Sequence, residues 1–167
     1  MKVYLVGMPG AGKSTLGKQL ATKLGLPFYD LDKEIENQEG RTIPEIFSQS
    51  GEDQFRIIES TMLREFAGNK DSFVLATGGG APCFFGNMEV LNSSGLTVYL
   101  KVTISTLIER LRNSKGRPLL EADQDLALRI GKLLDARQST YEGARLVVSE
   151  PDVEKVVRAI QRTGINT

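Results

Sequence analysis

Residues 7–14, Gly-Met-Pro-Gly-Ala-Gly-Lys-Ser, fit the pattern GxxxxGK[ST] at every fixed position. Their flanks narrow what can be built around them. Val3 to Val6 is a short apolar run that reads as a buried strand, and Leu16, Leu20 and Leu24 supply the helical spacing that follows. Gly10 and Gly12 open backbone conformations closed to other residues and leave no side chain in the way of a polyphosphate, so successive N–H groups can turn inward. A helix starting near Lys13 adds its positive N-terminal end. Lys13 can reach terminal phosphates as a mobile charge, and the Ser14 hydroxyl is placed to ligate a magnesium ion held between them. The plainer alternative is a glycine-rich turn entering a helix.

The remaining chemistry is bounded by what the chain lacks. Lys plus Arg and Asp plus Glu both total 21, which leaves no excess positive charge to grip a nucleic-acid backbone non-specifically. Cys83 is the sole cysteine, so there is neither an internal disulfide nor a cysteine-cluster metal site. Histidine is absent. Any general base must therefore be a carboxylate or a lysine, and any metal must have oxygen ligands. With 167 residues, 40% of them hydrophobic and 25% charged, the chain is about one ordinary soluble domain, spanning 1–167. After Lys2 only four apolar residues stand before Gly7, too few for a signal-peptide core or a membrane span, so a cytosolic protein is expected.

Strand-like and helix-like segments alternate along the chain. Strand candidates are 3–6, 27–29, 73–76, 96–102 and 145–148. Helical patterns cover 13–24, 43–67 with a break near Ser50-Gly51, 84–93, 104–112, 125–142 and 152–162. The alternation predicts a parallel sheet with helices on both faces and ligands at the C-terminal ends of its strands.

Several motifs fall at those ends. Asp30 and Asp32 follow the second strand; if the backbone is still extended there, both carboxylates project from one side, although Asp32 could equally cap a helix. Arg56 stands one turn after Glu52 and reads by itself as a surface salt bridge. Gly78-Gly79-Gly80 after the third strand points to close approach of the backbone to a ligand, with a flexible turn as the alternative. The basic, polar stretch 111–120 suits a flap that carries Arg117 to phosphates, or is an exposed connection. Arg137 and Tyr141 share one helical face.

Taken together these residues resemble the shikimate kinases, in the nucleoside-monophosphate-kinase-like branch of P-loop NTPases. The likeness runs from Val3 to about Tyr141. It rests on residues 7–15, Asp30-Xaa-Asp32, Ile-Pro-Glu-Ile-Phe at 43–47, Gly51-Glu52, Phe55-Arg56 with Glu59, the triple glycine, Arg117-Pro118-Leu119-Leu120, and Arg137 with Tyr141. The resemblance implies a three-layer αβα fold with a five-stranded parallel sheet, a substrate-binding segment at about 33–61 and a lid at about 112–124. It implies ATP-dependent phosphorylation of the 3-hydroxyl of shikimate with Mg²⁺, by a cytoplasmic monomer with no nucleic-acid or membrane partner.

Residue by residue, Lys13, Asp32 and Arg117 resemble the catalytic set, with Asp32 accepting the reacting proton. Ser14 and Asp30 resemble the magnesium site, and Gly10, Ala11, Gly12, Lys13, Ser14, Thr15, Arg110, Arg117 and Asp152 the ATP site. Asp32, Arg56, Glu59, Gly78, Gly79, Gly80 and Arg137 resemble the shikimate site, with the two arginines clamping a carboxylate. Two other readings carry different chemistry. A relative acting on another small alcohol, such as gluconate, would share the loop and lid but not the rest of the set. A nucleotide-binding switch should carry an Asn-Lys-Xaa-Asp guanine reader, which this sequence lacks, and a dead binding module would have lost Lys13, Asp32 or Arg117.

Overall fold

Val3, Tyr4, Leu5 and Val6 are all fully buried, and a strand with no exposed face must be covered by helices on both sides. The computed structural model, which describes residues 1–115 and 122–164, has that arrangement. In order it contains β1 (Lys2–Val6), α1 (Lys13–Leu24), β2 (Phe28–Asp30), α2 (Leu31–Glu39), α3 (Ile43–Gly68), β3 (Phe73–Ala76) and a 3-10 turn (Ala81–Cys83). There follow α4 (Asn87–Ser94), β4 (Leu96–Lys101), α5 (Ile104–Lys115), α6 (Ala122–Glu142), β5 (Leu146–Ser149) and α7 (Val153–Gln161).

The sheet order is β2-β3-β1-β4-β5, with every neighbouring pair parallel. Leu5 lies opposite both Ala76 and Val98, which centres the apolar core on β1. From β1 the chain first builds one side of the sheet (β2, β3) and then crosses to the other (β4, β5). That reversal opens a crevice at the carboxyl end of β1, where the glycine-rich loop begins. Buried residues from each of the seven helices found among the described residues join the central strands in one core cluster, among them Leu16, Ile35, Ile46, Met88, Leu107, Tyr141 and Val156. Each such aliphatic side chain contributes about 1.5–3 kcal/mol by leaving water.

Differences from the sequence reading have local causes. The helical pattern 84–93 begins only at Asn87, because Phe85 (φ 51°) and Gly86 (φ 65°) take left-handed conformations that a helix cannot continue. The break foreseen near 50–51 is Gly51, at φ 81° and ψ 168° inside α3. A capping box between Thr42 and Glu45 starts that helix. The short α2 is the helix that the alternative reading of Asp32 allows, begun one residue earlier, and it changes how Asp32 is presented. Among the described residues no helix is long and apolar enough to cross a membrane.

Candidate active site

The loop after β1 closes on itself around one ammonium group. Gly10 (φ 82°) and Gly12 (φ 89°) hold left-handed backbone, and α1 starts at Lys13. The Lys13 Nζ donates to the carbonyls of Gly7 at 2.7 Å and Met8 at 2.9 Å. Burial pushes its pKa down to about 8; the carboxylates of Asp32 and Asp30 oppose that shift and Arg137 adds to it. A partly desolvated cation with donors to spare suits an arriving polyanion.

Asp30 and Asp32 come to the same place by a route other than the extended one. β2 ends at Asp30 and α2 begins at Leu31 without a connecting loop, so Asp32 lies in the first helical turn. Nor does Asp32 cap the helix, because Asp30 occupies the N-cap position and its side chain makes no capping bond. Leu31 and Ile35, one turn apart and fully buried, fix the rotation of α2. Both carboxylates then line one cavity of ≈ 340 Å³ with Pro9, Gly10, Lys13 and Ser14. The Ser14 hydroxyl donates to Asp30 Oδ2 at 2.5 Å. Burial raises the pKa of Asp32, the Asp30 charge raises it further, and Lys13 pulls it back. A carboxyl poised in this way can take a proton from a nearby hydroxyl.

Arg56 is not the surface arginine its spacing suggests. It is 9% exposed, with Nη1 on Glu59 Oε1 at 2.8 Å and Nη2 on Glu52 at 3.3 Å. Its guanidinium sits 4.4 Å from the centroid of the Phe84 ring. The Arg56 Nε is buried with no hydrogen-bond partner among the described residues. Glu59 is only 1% exposed; burial raises its pKa, Arg56 lowers it, and among the further influences Arg137 lowers it as well. Arg137, from α6, therefore acts on the same acid as Arg56 from α3. Arg56 thus holds both acids of its own helix, Glu59 and Glu52, while its Nε keeps a donor that no described residue accepts, and a ligand's carboxylate oxygen would supply that acceptor.

The three glycines after β3 are needed for space, although the space is claimed by other side chains of the protein. A Cβ at Gly78 would lie 2.8 Å from Glu59 Oε2 and 3.1 Å from Asp32 Oδ1. One at Gly79 would lie 2.7 Å from Pro9 Cδ, and one at Gly80 would lie 2.7 Å from Arg56 Nη1. This bare backbone lets the acid, the arginine and the phosphate loop converge.

On the opposite side of the loop a cavity of ≈ 480 Å³ is lined by Ala11, Gly12, Thr15, Arg110, Pro151 and Asp152, among others. Arg110 Nη1 donates to the Ala11 carbonyl at 2.9 Å. Asp152 caps α7, its Oδ1 accepting from the Lys155 N–H at 2.7 Å. Its carboxylate is thus engaged in structure while its position borders the cavity. Arg117 and residues 116–121 of the expected lid lie outside the described residues, as do the side chains of 112–124. Size alone does not single out these cavities, since one of ≈ 460 Å³ between α2 and α3 gathers none of the residues above.

Sequence reasoning passed over Thr77, Phe84 and Pro9. Thr77 is buried at the end of β3 and lines the carboxylate cavity; its place at a strand's C-terminal end was a usable signal. Phe84 and Pro9 matter through contacts that only the fold creates.

A doubly wound parallel sheet, a closed phosphate loop at its central strand and two acids beside the loop's lysine define a P-loop kinase. Residues 9–163 match the family model described as Shikimate kinase. The chain belongs to the shikimate kinase family. It is 42% identical over 170 residues to a shikimate kinase of Parabacteroides distasonis, covering 96% of this chain and 98% of that one. The crystal structure of shikimate kinase from Bacteroides thetaiotaomicron superposes with a TM-score of 0.83 at 39% identity, covering 98% of this chain and 95% of that one. That of the Acinetobacter baumannii enzyme in complex with shikimate gives 0.86 at 37% identity, covering 99% and 95%.

Proposed function

We propose that this chain transfers the terminal phosphoryl group of ATP to the 3-hydroxyl of shikimate, giving shikimate 3-phosphate and ADP on the route to chorismate and the aromatic amino acids. The observation that carries the reading is the buried Arg56, whose Nε has no partner among the described residues and whose acid Glu59 also feels the charge of Arg137, next to the Lys13 and Asp32 cavity in a chain of this family. A ring acid offers one carboxylate to Arg56 and Arg137 and several hydroxyls to Asp32 and to the backbone of Gly78, Gly79 and Gly80. Gluconate and nucleotide-switch readings are set aside by the family match.

Phosphoryl transfer asks little covalent chemistry of a protein and much positioning and charge neutralisation. Backbone N–H groups of Gly10, Gly12, Ser14 and Thr15 and the Lys13 ammonium hold the phosphates, while the Ala11 N–H braces the loop by donating to the Met8 carbonyl at 3.1 Å. As the substrate oxygen forms its bond to phosphorus, its proton passes to Asp32, and the electron pair of the breaking bridge bond leaves with ADP. Arg117 serves the same phosphates from the lid, and Arg110 with the turn at Asp152 borders the adenine.

Mg²⁺ fits the donors present. Ser14 and Asp30 meet through oxygen, and among the described residues there is no cluster of three or more potential metal-binding side chains. That is the donor set of an ion held chiefly by phosphates and water. Bound there, it neutralises charge on the phosphate oxygens. We further propose that the enzyme works as a single-domain monomer in the cytoplasm, without nucleic-acid or membrane partners. The balanced charge and the free Cys83 support this.

A coupled ADP-release assay across shikimate, quinate, gluconate and nucleoside monophosphates tests the reading. Shikimate should give the highest kcat/KM; faster turnover of gluconate or a nucleotide would sink it.

A further inference from the structure

Tyr141 is fully buried at the end of α6, its ring centroid 5.2 Å from that of Tyr99 on β4. A phenylalanine would fill that volume equally well. What the hydroxyl adds is specific: it donates to the Gly79 carbonyl at 2.5 Å and lies 4.0 Å from Met8 Sδ in the phosphate loop. Burial pushes the pKa of that hydroxyl up, and Arg137, one turn earlier on α6, is near enough for its charge to lower it part of the way back. Gly79 in turn rests on Pro9, with no room for a methyl group between them. One oxygen thus joins the loop that carries the acceptor to the loop that carries the donor.

We infer that Tyr141 is a positioning residue for phosphoryl transfer: its hydroxyl sets the spacing between the glycine loop 78–80 and the phosphate loop. The inference rests on the proposed reaction. Reacting atoms must approach within about 3–3.5 Å in line, and a displacement of about 1 Å costs on the order of a hundredfold in rate. Releasing the Gly79 carbonyl lets its loop drift from Pro9. The drift displaces the acceptor hydroxyl while leaving the Lys13 cradle intact.

The test is Tyr141→Phe, assayed beside the parent enzyme with each substrate varied in turn. Loss of this tie should lower kcat with shikimate by about tenfold or more. The KM for ATP should stay near the parent value, and ADP released per shikimate phosphorylated should rise as water takes the place of a displaced acceptor. A merely structural tyrosine would lower the melting temperature and leave the kinetics of the folded enzyme unchanged, and kcat close to that of the parent overturns the inference. If the Phe variant does not fold, Tyr141→4-methylphenylalanine keeps the bulk without a donor, and Tyr141→4-aminophenylalanine keeps a donor. The methyl variant should lose kcat and the amino variant retain it; equal kinetics in the two overturn the inference. A parent enzyme inactive with shikimate would instead indict the proposed reaction, independently of Tyr141.

Discussion

Lys13 shows how far one side chain's surroundings fix its chemistry. Its charge is held by two backbone carbonyls in a buried cradle, so Lys13→Ala should leave the circular dichroism spectrum unchanged and remove nearly all turnover. Retention of more than about a tenth of the activity, a barrier change under about 1.4 kcal/mol, would contradict this. With its pKa near 8 in the free protein, the ammonium is lost as pH rises through that value, so kcat/KM for ATP should fall on the alkaline side of about 8. Stability moves the other way. Between about 8 and the ordinary lysine value of 10.5 the unfolded chain holds the extra proton, so this group's contribution to folding becomes more favourable as pH rises. A pH series of ATP kinetics beside denaturant melts separates the two trends.

Arg56 and Arg137 yield a second test at this scale. Truncating either should weaken shikimate binding by about 1.5–3 kcal/mol with ATP affinity unchanged, and the losses should be non-additive because both arginines meet one anion. Additive losses in a titrated double-mutant cycle would dissolve the clamp. These residues also mark what a reader of the sequence can and cannot see. Gly10, Gly12, Lys13 and Ser14 are legible because backbone sign and charge dictate each type in a short span. Arg56 looks like a surface ion pair with Glu52, since the Phe84 ring that covers it comes from across a fold not yet formed, and nothing local says that its neighbour Glu59, one turn on, is buried.

Elements were legible where period and length agreed. The central strands declare themselves as unbroken apolar runs, and α1 by its leucines. α2 is legible only as an alternative to an extended strand end, because nine mostly polar residues carry only Leu31 and Ile35 inward, too few to display a helical period. The carboxylates nevertheless reach one cavity, because the helix turn and the extended chain happen to offer Asp32 to the same side. The junction of α4 and β4 invites a stability test. A Cβ at Gly95 would lie 2.7 Å from the Lys2 carbonyl oxygen, a backbone atom of β1 that cannot step aside. Gly95→Ala should cost about 1–3 kcal/mol by overpacking while leaving the KM for ATP unaltered in the folded fraction. An unchanged denaturation midpoint would mean that the two strands separate more easily than their pairing suggests.

For the whole molecule, the site is an assembly of distant sequence. Arg110 reaches the Ala11 carbonyl, and Tyr141 reaches Gly79, so folding and site formation are one event. Ligands that bind only the folded chain should then stabilise all of it: at about 100 times Kd the gain is about 2.7 kcal/mol, or about 5–10 °C in Tm for a domain of this size. A scanning melt with shikimate and ATP measures it, and a shift below about 2 °C would argue that the ligands also bind an unfolded form.

The triple glycine also has a genetic consequence. Each of its positions is filled by a different neighbour: Glu59 at 78, Pro9 at 79 and Arg56 at 80. Alanine at any one of them should inactivate the enzyme, but the suppressors recovered in a selection for growth should differ by position. Pro9→Ala opens space for a methyl at 79 alone, so it should rescue Gly79→Ala and neither of its neighbours. Three adjacent codons with the same residue would then carry three separable histories, each written in a different part of the chain.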